Sequence, residues 1–92
     1  MIQETIKALN NPVRRKILEL LKVGPKSAGE ILENLDITGA TLSHHLNTLK
    51  STGLLSQTRS GNKLIYEINT SVFEEVLNWI TKFITSEEKD DE

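Results

Sequence analysis

Cysteine is absent from this 92-residue chain, which excludes disulfides, thiolate metal ligands and cysteine-based redox sensing. Histidine is almost absent: the two that occur stand side by side at positions 44 and 45. No long unbroken apolar run occurs, so neither a membrane span nor the core of a signal peptide can be assembled. The expectation is a cytoplasmic protein with no membrane partner. There is no glycine-rich phosphate loop, and no acid, base and nucleophile stand at spacings that would make an enzyme. One further lack is local. From Ile37 to Tyr66 there is no Asp or Glu, while Lys50, Arg59 and Lys63 are basic. The formal net charge of -2 hides this, because acid gathers at the C-terminal end. An electrostatic footprint depends on distribution as well as on total charge.

What is present reads as one small soluble domain over residues 1–85, followed by an acidic tail, 86–92, expected to be solvated and disordered. Ile2, Ile6 and Leu9 share one face of a short first helix. Asn11-Pro12 is a helix start, with Asn as cap and Pro at the first position, where a missing N–H costs nothing. The helix after it is expected to bury Val13, Ile17, Leu20 and Leu21, with Leu18 flanking, and to stop at Gly24-Pro25. Ser27-Ala-Gly-Glu30 forms a capping box for a third helix burying Ala28, Ile31 and Leu35.

Thr38 caps a fourth helix that runs to about Thr52 and ends at Gly53. Leu42, Leu46 and Leu49 recur at i, i+4, i+7 and make its apolar face. The other positions carry Thr, Ser, His, Asn and Lys, which can donate hydrogen bonds to base edges and phosphates without adding negative charge. Two short helices joined by a tight turn, the second polar outside, make a helix-turn-helix. After Gly53 the period changes to 2. Leu54–Arg59 and Lys63–Ile68 read as strands joined by Ser60-Gly61-Asn62, a hairpin that must lean on the helices. The fold class is therefore mainly α with a small β-hairpin: a winged helix-turn-helix of about five helices plus a two-stranded wing.

A second capping box, Ser71 with Glu74, is expected to open a last helix reaching about Thr85. Its apolar residues (Val72, Phe73, Val76, Leu77, Trp79, Ile80, Phe83, Ile84) make too wide a stripe for a helix packed only on its own domain. Either it is buried on two sides, or it joins the first helix of a second copy. The second reading puts Ile2, Ile6, Val72, Val76, Trp79, Ile80 and Phe83 in a homodimer interface, whose two-fold symmetry would suit a palindromic DNA site.

The chain resembles the ArsR-type winged-helix repressors. The matching elements are Ala8-Leu9-x-x-Pro12-x-Arg14-x-x-Ile17-Leu18 with Leu20-Leu21, then Ser43-His44-His45-Leu46-x-x-Leu49, Gly53-Leu54-Leu55 and Arg59-x-Gly61-x-x-x-x-Tyr66. The last helix, rich in Trp and Phe, is most similar to the small metal-independent SdpR-like autorepressors. The resemblance implies a homodimer held by the first and last helices, recognition helices in successive major grooves of double-stranded DNA, and repression by blocking a promoter. It places DNA contacts at Thr38, Gly39, Ala40, Thr41, Ser43 and His44. Gly39 and Ala40 depart from the Gln and Ser that many members carry, so base readout should lean on Thr41, Ser43, His44 and Asn47, or on DNA shape. Many relatives sense metals through Cys near the third helix, or through His and acidic residues on the last. Here Glu74 and Glu75 lack nitrogen partners, so no metal and no cofactor are expected.

Adjacent helical residues point about 100° apart, so His44 and His45 do not share a ligand. His44 falls on the outer face as a DNA contact, and His45 falls nearer the leucine face as a structural residue. Arg59 and Lys63, flanking the hairpin tip, are read as phosphate or minor-groove contacts, and Lys50 as a phosphate contact or a solvated charge. Arg14, Arg15 and Lys16 open the second helix, where basic residues oppose the dipole, so local propensity did not select them. The rival reading is a protein-binding winged helix, an adapter that has lost DNA recognition, to which Gly39, Ala40 and the net negative charge would belong.

Overall fold

A computed structural model describes residues 2–84. The last helix ends at Thr81 with Lys82 as its cap, short of the expected Thr85, and Thr85 and the acidic tail 86–92 lie outside the described residues. Five helices and three strands follow in the order α1 (Ile2–Leu9), α2 (Pro12–Leu21), β1 (Lys26–Ser27), α3 (Ala28–Glu33), α4 (Gly39–Ser51), β2 (Leu55–Ser60), β3 (Lys63–Ile68) and α5 (Thr70–Thr81). No described helix is long and apolar enough to cross a membrane.

Local chemistry places most helix boundaries. The Asn11 side chain accepts from the Val13 and Arg14 N–H groups, with Pro12 at the first helical position, which satisfies two donors that a helix start leaves open. The Ser27–Glu30 capping box is reciprocal: the Ser27 N–H donates to Glu30 Oε1 at 2.8 Å and the Glu30 N–H donates to Ser27 Oγ at 3.2 Å. That backbone donor holds the Glu30 carboxyl below the usual carboxylate range. Thr38 caps α4 by accepting from the Thr41 N–H.

The end of α4 is a Schellman motif. The Gly53 N–H reaches the Lys50 carbonyl and the Leu54 N–H reaches the Leu49 carbonyl, with Gly53 at φ +83°. Leu54 completes this cap, so β2 begins at Leu55 and not, as the alternation predicts, at Leu54. The start of α5 also differs from the sequence reading. Asn69 is the cap, its side chain accepting from the Ser71 N–H. Because the Asn69 N–H is anchored on the Leu54 carbonyl, the helix starts at Thr70. Ser71 is then already inside it and does not form the expected box with Glu74.

The wing hairpin is present, and a third strand joins it. The antiparallel sheet has the order β1-β3-β2, with Lys26 opposite Tyr66 and Ser27 opposite Ile65. A two-residue strand is too short for any periodicity to show. It nonetheless fastens the hairpin to the N-terminus of α3.

The core gathers one face of nearly every element. Ile17, Ile31, Leu49, Leu54 and Leu55 are fully buried, each such side chain stabilising the fold by roughly 1.5–3 kcal/mol. Leu18 belongs to this core, while Val13 and Leu20 are only half-buried, so the inward face of α2 is rotated from the expected one. In α1 the buried residues are Thr5 and Ala8. The Ile2/Ile6/Leu9 face is left half-buried to exposed, because small residues let α1 approach its neighbours closely.

Candidate nucleic-acid interface

The recognition helix divides its side chains cleanly. Leu42, His45, Leu46 and Leu49 are buried, while Thr38, Gly39, Ala40, Thr41, Ser43, His44, Asn47 and Lys50 are all exposed. The structure thus gathers every sequence-predicted α4 contact on one solvent-facing side. At its start, the Thr38 hydroxyl donates to Thr41 Oγ1 at 3.0 Å, so the Thr41 hydroxyl keeps its own proton for an outside acceptor. Gly39 needs no explanation from packing: an added Cβ would meet nothing nearer than Leu32 Cδ2 at 4.0 Å. Small residues at these first two helical positions leave the backbone open to close approach by another surface.

The wing carries Arg59 and Lys63 on a stretch with no acid of its own, although Lys63 shares a depression with Glu30 and Glu33 of α3. Arg59 pairs with Leu64 and Ser60 with Lys63 across the tip, and both basic side chains are exposed. The turn closes through Gly61 at φ +67°. Helix and wing are linked by a short polar chain that sequence reasoning missed. Lys50 Nζ donates to Gln57 Oε1 at 3.4 Å, and Gln57 Nε2 donates to the Tyr66 hydroxyl at 2.8 Å. Lys50 is thereby held toward β2. No sequence signal marks Gln57, since a single Gln in a strand is ordinary.

The two histidines separate as expected. His44 faces outward; His45 is 8% exposed. The Arg14 guanidinium lies 3.0 Å from His45 Nδ1 through one terminal nitrogen and donates from Nε to the Ala8 carbonyl at 2.7 Å. Arg15 donates to the Leu9 carbonyl at 2.8 Å. Arg14 and Arg15 of the basic cluster that opens α2 therefore serve the C-terminus of α1, where a cation is favoured. Burial, then Arg14, then His44 push the His45 imidazole below its ordinary value, all three disfavouring its charged form.

The residues assigned to a subunit interface fall into two groups. Val76 is 7% exposed and lies with Ile2, Thr5 and Val72 along the seam between α1 and α5, so it is spent largely inside its own chain. Ile6, Trp79, Ile80 and Phe83 remain open, together with Leu77 and Ile84. Trp79 and Phe83 pack edge to face with ring centroids 5.1 Å apart. Among the described residues no group of three or more His, Cys, Asp or Glu is gathered as a metal would require.

Comparison with known proteins agrees with this geometry. The family model described as bacterial regulatory protein, arsR family, matches residues 11–57, which span α2 to the start of the wing. The transcriptional repressor SdpR of Bacillus subtilis (strain 168) is 40% identical over 89 residues, covering 97% of this chain and 99% of that protein. An arsenical resistance operon repressor from Staphylococcus xylosus is 38% identical over 64 residues, covering 70% of this chain and 62% of that protein. The crystal structure of Rv0081 from Mycobacterium tuberculosis superimposes with a TM-score of 0.72 at 32% identity, covering 97% of this chain and 90% of that one.

Proposed function

The chain belongs to the ArsR family of bacterial regulatory proteins, as a DNA-binding transcriptional repressor and not an enzyme, and from that premise we propose that it is a cytoplasmic homodimer that reads a palindromic operator at its own promoter without sensing a metal. The observation that carries the reading is the exposed surface of α4 and the wing, whose own residues include no acid: Thr38, Gly39, Ala40, Thr41, Ser43, His44, Asn47 and Lys50 on the helix side and Arg59 to Lys63 at the wing tip are exposed. Thr41, Ser43, His44 and Asn47 read base edges from the major groove. Gly39 and Ala40 let the helix start approach the backbone. Lys50, Arg59 and Lys63 meet phosphates and set affinity more than sequence preference.

Dimerisation supplies the two-fold axis. The open apolar residues Trp79, Ile80 and Phe83 on α5, with Ile6 on α1, are what a second copy would cover, and palindromic half-sites mirror that symmetry. Independence from metal is supported by where the histidines are. Both lie on the recognition helix, one directed at DNA and the other at Arg14, and the chain has no cysteine.

The test is fluorescence anisotropy of labelled DNA from upstream of this gene against a scrambled duplex at two salt concentrations. Nanomolar, salt-sensitive binding at least about a hundredfold tighter to the native fragment is expected, unchanged by chelator. Ser43→Ala or His44→Ala should weaken specific binding by roughly 1–3 kcal/mol and relax sequence preference. Equal, weak binding to both duplexes would refute autoregulation, and a monomeric mass in sedimentation would refute the dimer.

A further inference from the structure

Three helices meet at one guanidinium. Arg14 stands in the first turn of α2, yet its Nε serves the last turn of α1 through the Ala8 carbonyl, and a terminal nitrogen serves α4 through His45 Nδ1. Arginine has no acceptor. His45 Nδ1 must therefore accept, which fixes the imidazole as the neutral tautomer with its proton on Nε2. A second proton on that ring would replace the acceptor with a donor and set two cations against each other 3.0 Å apart.

The charges bearing on this imidazole are few. Arg14 faces it from α2, and His44 lies beside it on α4 with ring centroids 5.5 Å apart. From α1, Glu4 and Lys7 line the depression that also holds Arg14 and His44. Arg14 and His44 disfavour a charged ring, and the leucines of α4 offer no compensation.

We propose that Arg14 and His45 are positioning residues for DNA binding: their bond ties the recognition helix to α1, the helix shared with the subunit interface, and protonation of His45 breaks that tie and releases DNA. The proposal rests on the DNA-binding reading above and adds a regulatory proton to it. The direction of the effect distinguishes it from ordinary electrostatics. Protonating exposed groups near phosphate tightens binding, so acid acting through the exposed surface would raise affinity. Acid acting through His45 lowers it.

The probe is a duplex enriched from a random-sequence pool by the wild-type protein at pH 8. Its affinity is measured from pH 8 to pH 5.5 for wild type, His45→Asn and His45→Leu, with circular dichroism and sedimentation on the same samples to record folding and dimer mass. Asparagine presents Oδ1 near the place of Nδ1, accepts from Arg14 and does not titrate; leucine fills the space and accepts nothing. Wild type should lose about tenfold in affinity on acidification while still folded, within the usual span for coupled sites. His45→Asn should match wild type at pH 8 and not fall with pH, and His45→Leu should bind about tenfold more weakly at every pH as an intact dimer. Parallel pH profiles for wild type and His45→Asn would overturn the proposal, as would wild-type affinity in a folded His45→Leu. Failure of the wild type to enrich any duplex at pH 8 would instead overturn the DNA-binding reading, and this proposal with it.

Discussion

Removing one wing cation gives the sharpest numerical test of how this surface meets DNA. Arg59 sits one pair from the hairpin tip, exposed, with no acidic residue between Ile37 and Tyr66 to compete for it. If its guanidinium neutralises one phosphate per subunit, Arg59→Ala removes two such contacts from a symmetric dimer. Each contact contributes about 0.9 to the slope of log affinity against log salt, so the slope should become shallower by about 1.8. Over a fourfold rise in salt, one contact is worth roughly 3.5-fold in affinity and two are worth roughly 12-fold, so that much of the salt sensitivity should disappear. The loss should be the same for specific and scrambled duplexes, since phosphate contacts carry no sequence information. Anisotropy titrations at four or more salt concentrations, on both duplexes, measure the slope directly. An unchanged slope, or a loss confined to the specific duplex, would refute the assignment of the wing to the DNA backbone. Lys63→Ala should reproduce the result from the other side of the tip.

Glycine substitutions separate backbone strain from crowding. Gly61→Ala at φ +67° meets open space and should cost about 1–2 kcal/mol. Gly53→Ala at φ +83° also brings its Cβ to 3.1 Å from Val72 Cγ2, which should add about 1 kcal/mol or more for overpacking; equal urea midpoints at matched protein concentration would contradict this. Asn11→Ala strips two backbone N–H groups of their cap and should destabilise by about 1 kcal/mol in the same assay. Stability should also depend on pH in a defined window. The folded state holds His45 below its ordinary value of 6.5, so the unfolded chain binds more protons as pH drops below that value and stability declines there. The lowered carboxyls of Glu4 and Glu30 begin to lose their contribution only below their ordinary 4.5. A urea midpoint that falls between pH 7 and 5 in wild type and stays level in His45→Asn would match this, and a level midpoint in both would contradict it.

Much of this protein is decided by short-range chemistry, which is why it can be read along the chain. Asn11-Pro12, Ser27 with Glu30, Thr38 and Gly53 each solve a helix-end problem with groups at most a few residues away, and the structure uses all of them. The split of α4 into a leucine face and a polar face, the change of period after Gly53 and the acid-free stretch from Ile37 to Tyr66 are likewise properties of neighbouring residues. They suffice to indicate a winged helix-turn-helix and the surface proposed to meet DNA.

Other features depend on contacts between residues far apart in sequence. Strand β1 exists only because β3 lies beside it. Asn69 displaces Ser71 as the cap of α5 because the Leu54 carbonyl anchors its backbone. Thr5 and Ala8, and not the isoleucines of α1, turn inward because close approach of helices selects small residues. Arg14 and Arg15, unfavourable on their own helix, are accounted for once the end of α1 comes within reach. Periodicity and capping describe how one element satisfies itself. Which face turns inward, which carbonyl needs a cation and which imidazole must stay neutral are settled only when several elements compete for the same space.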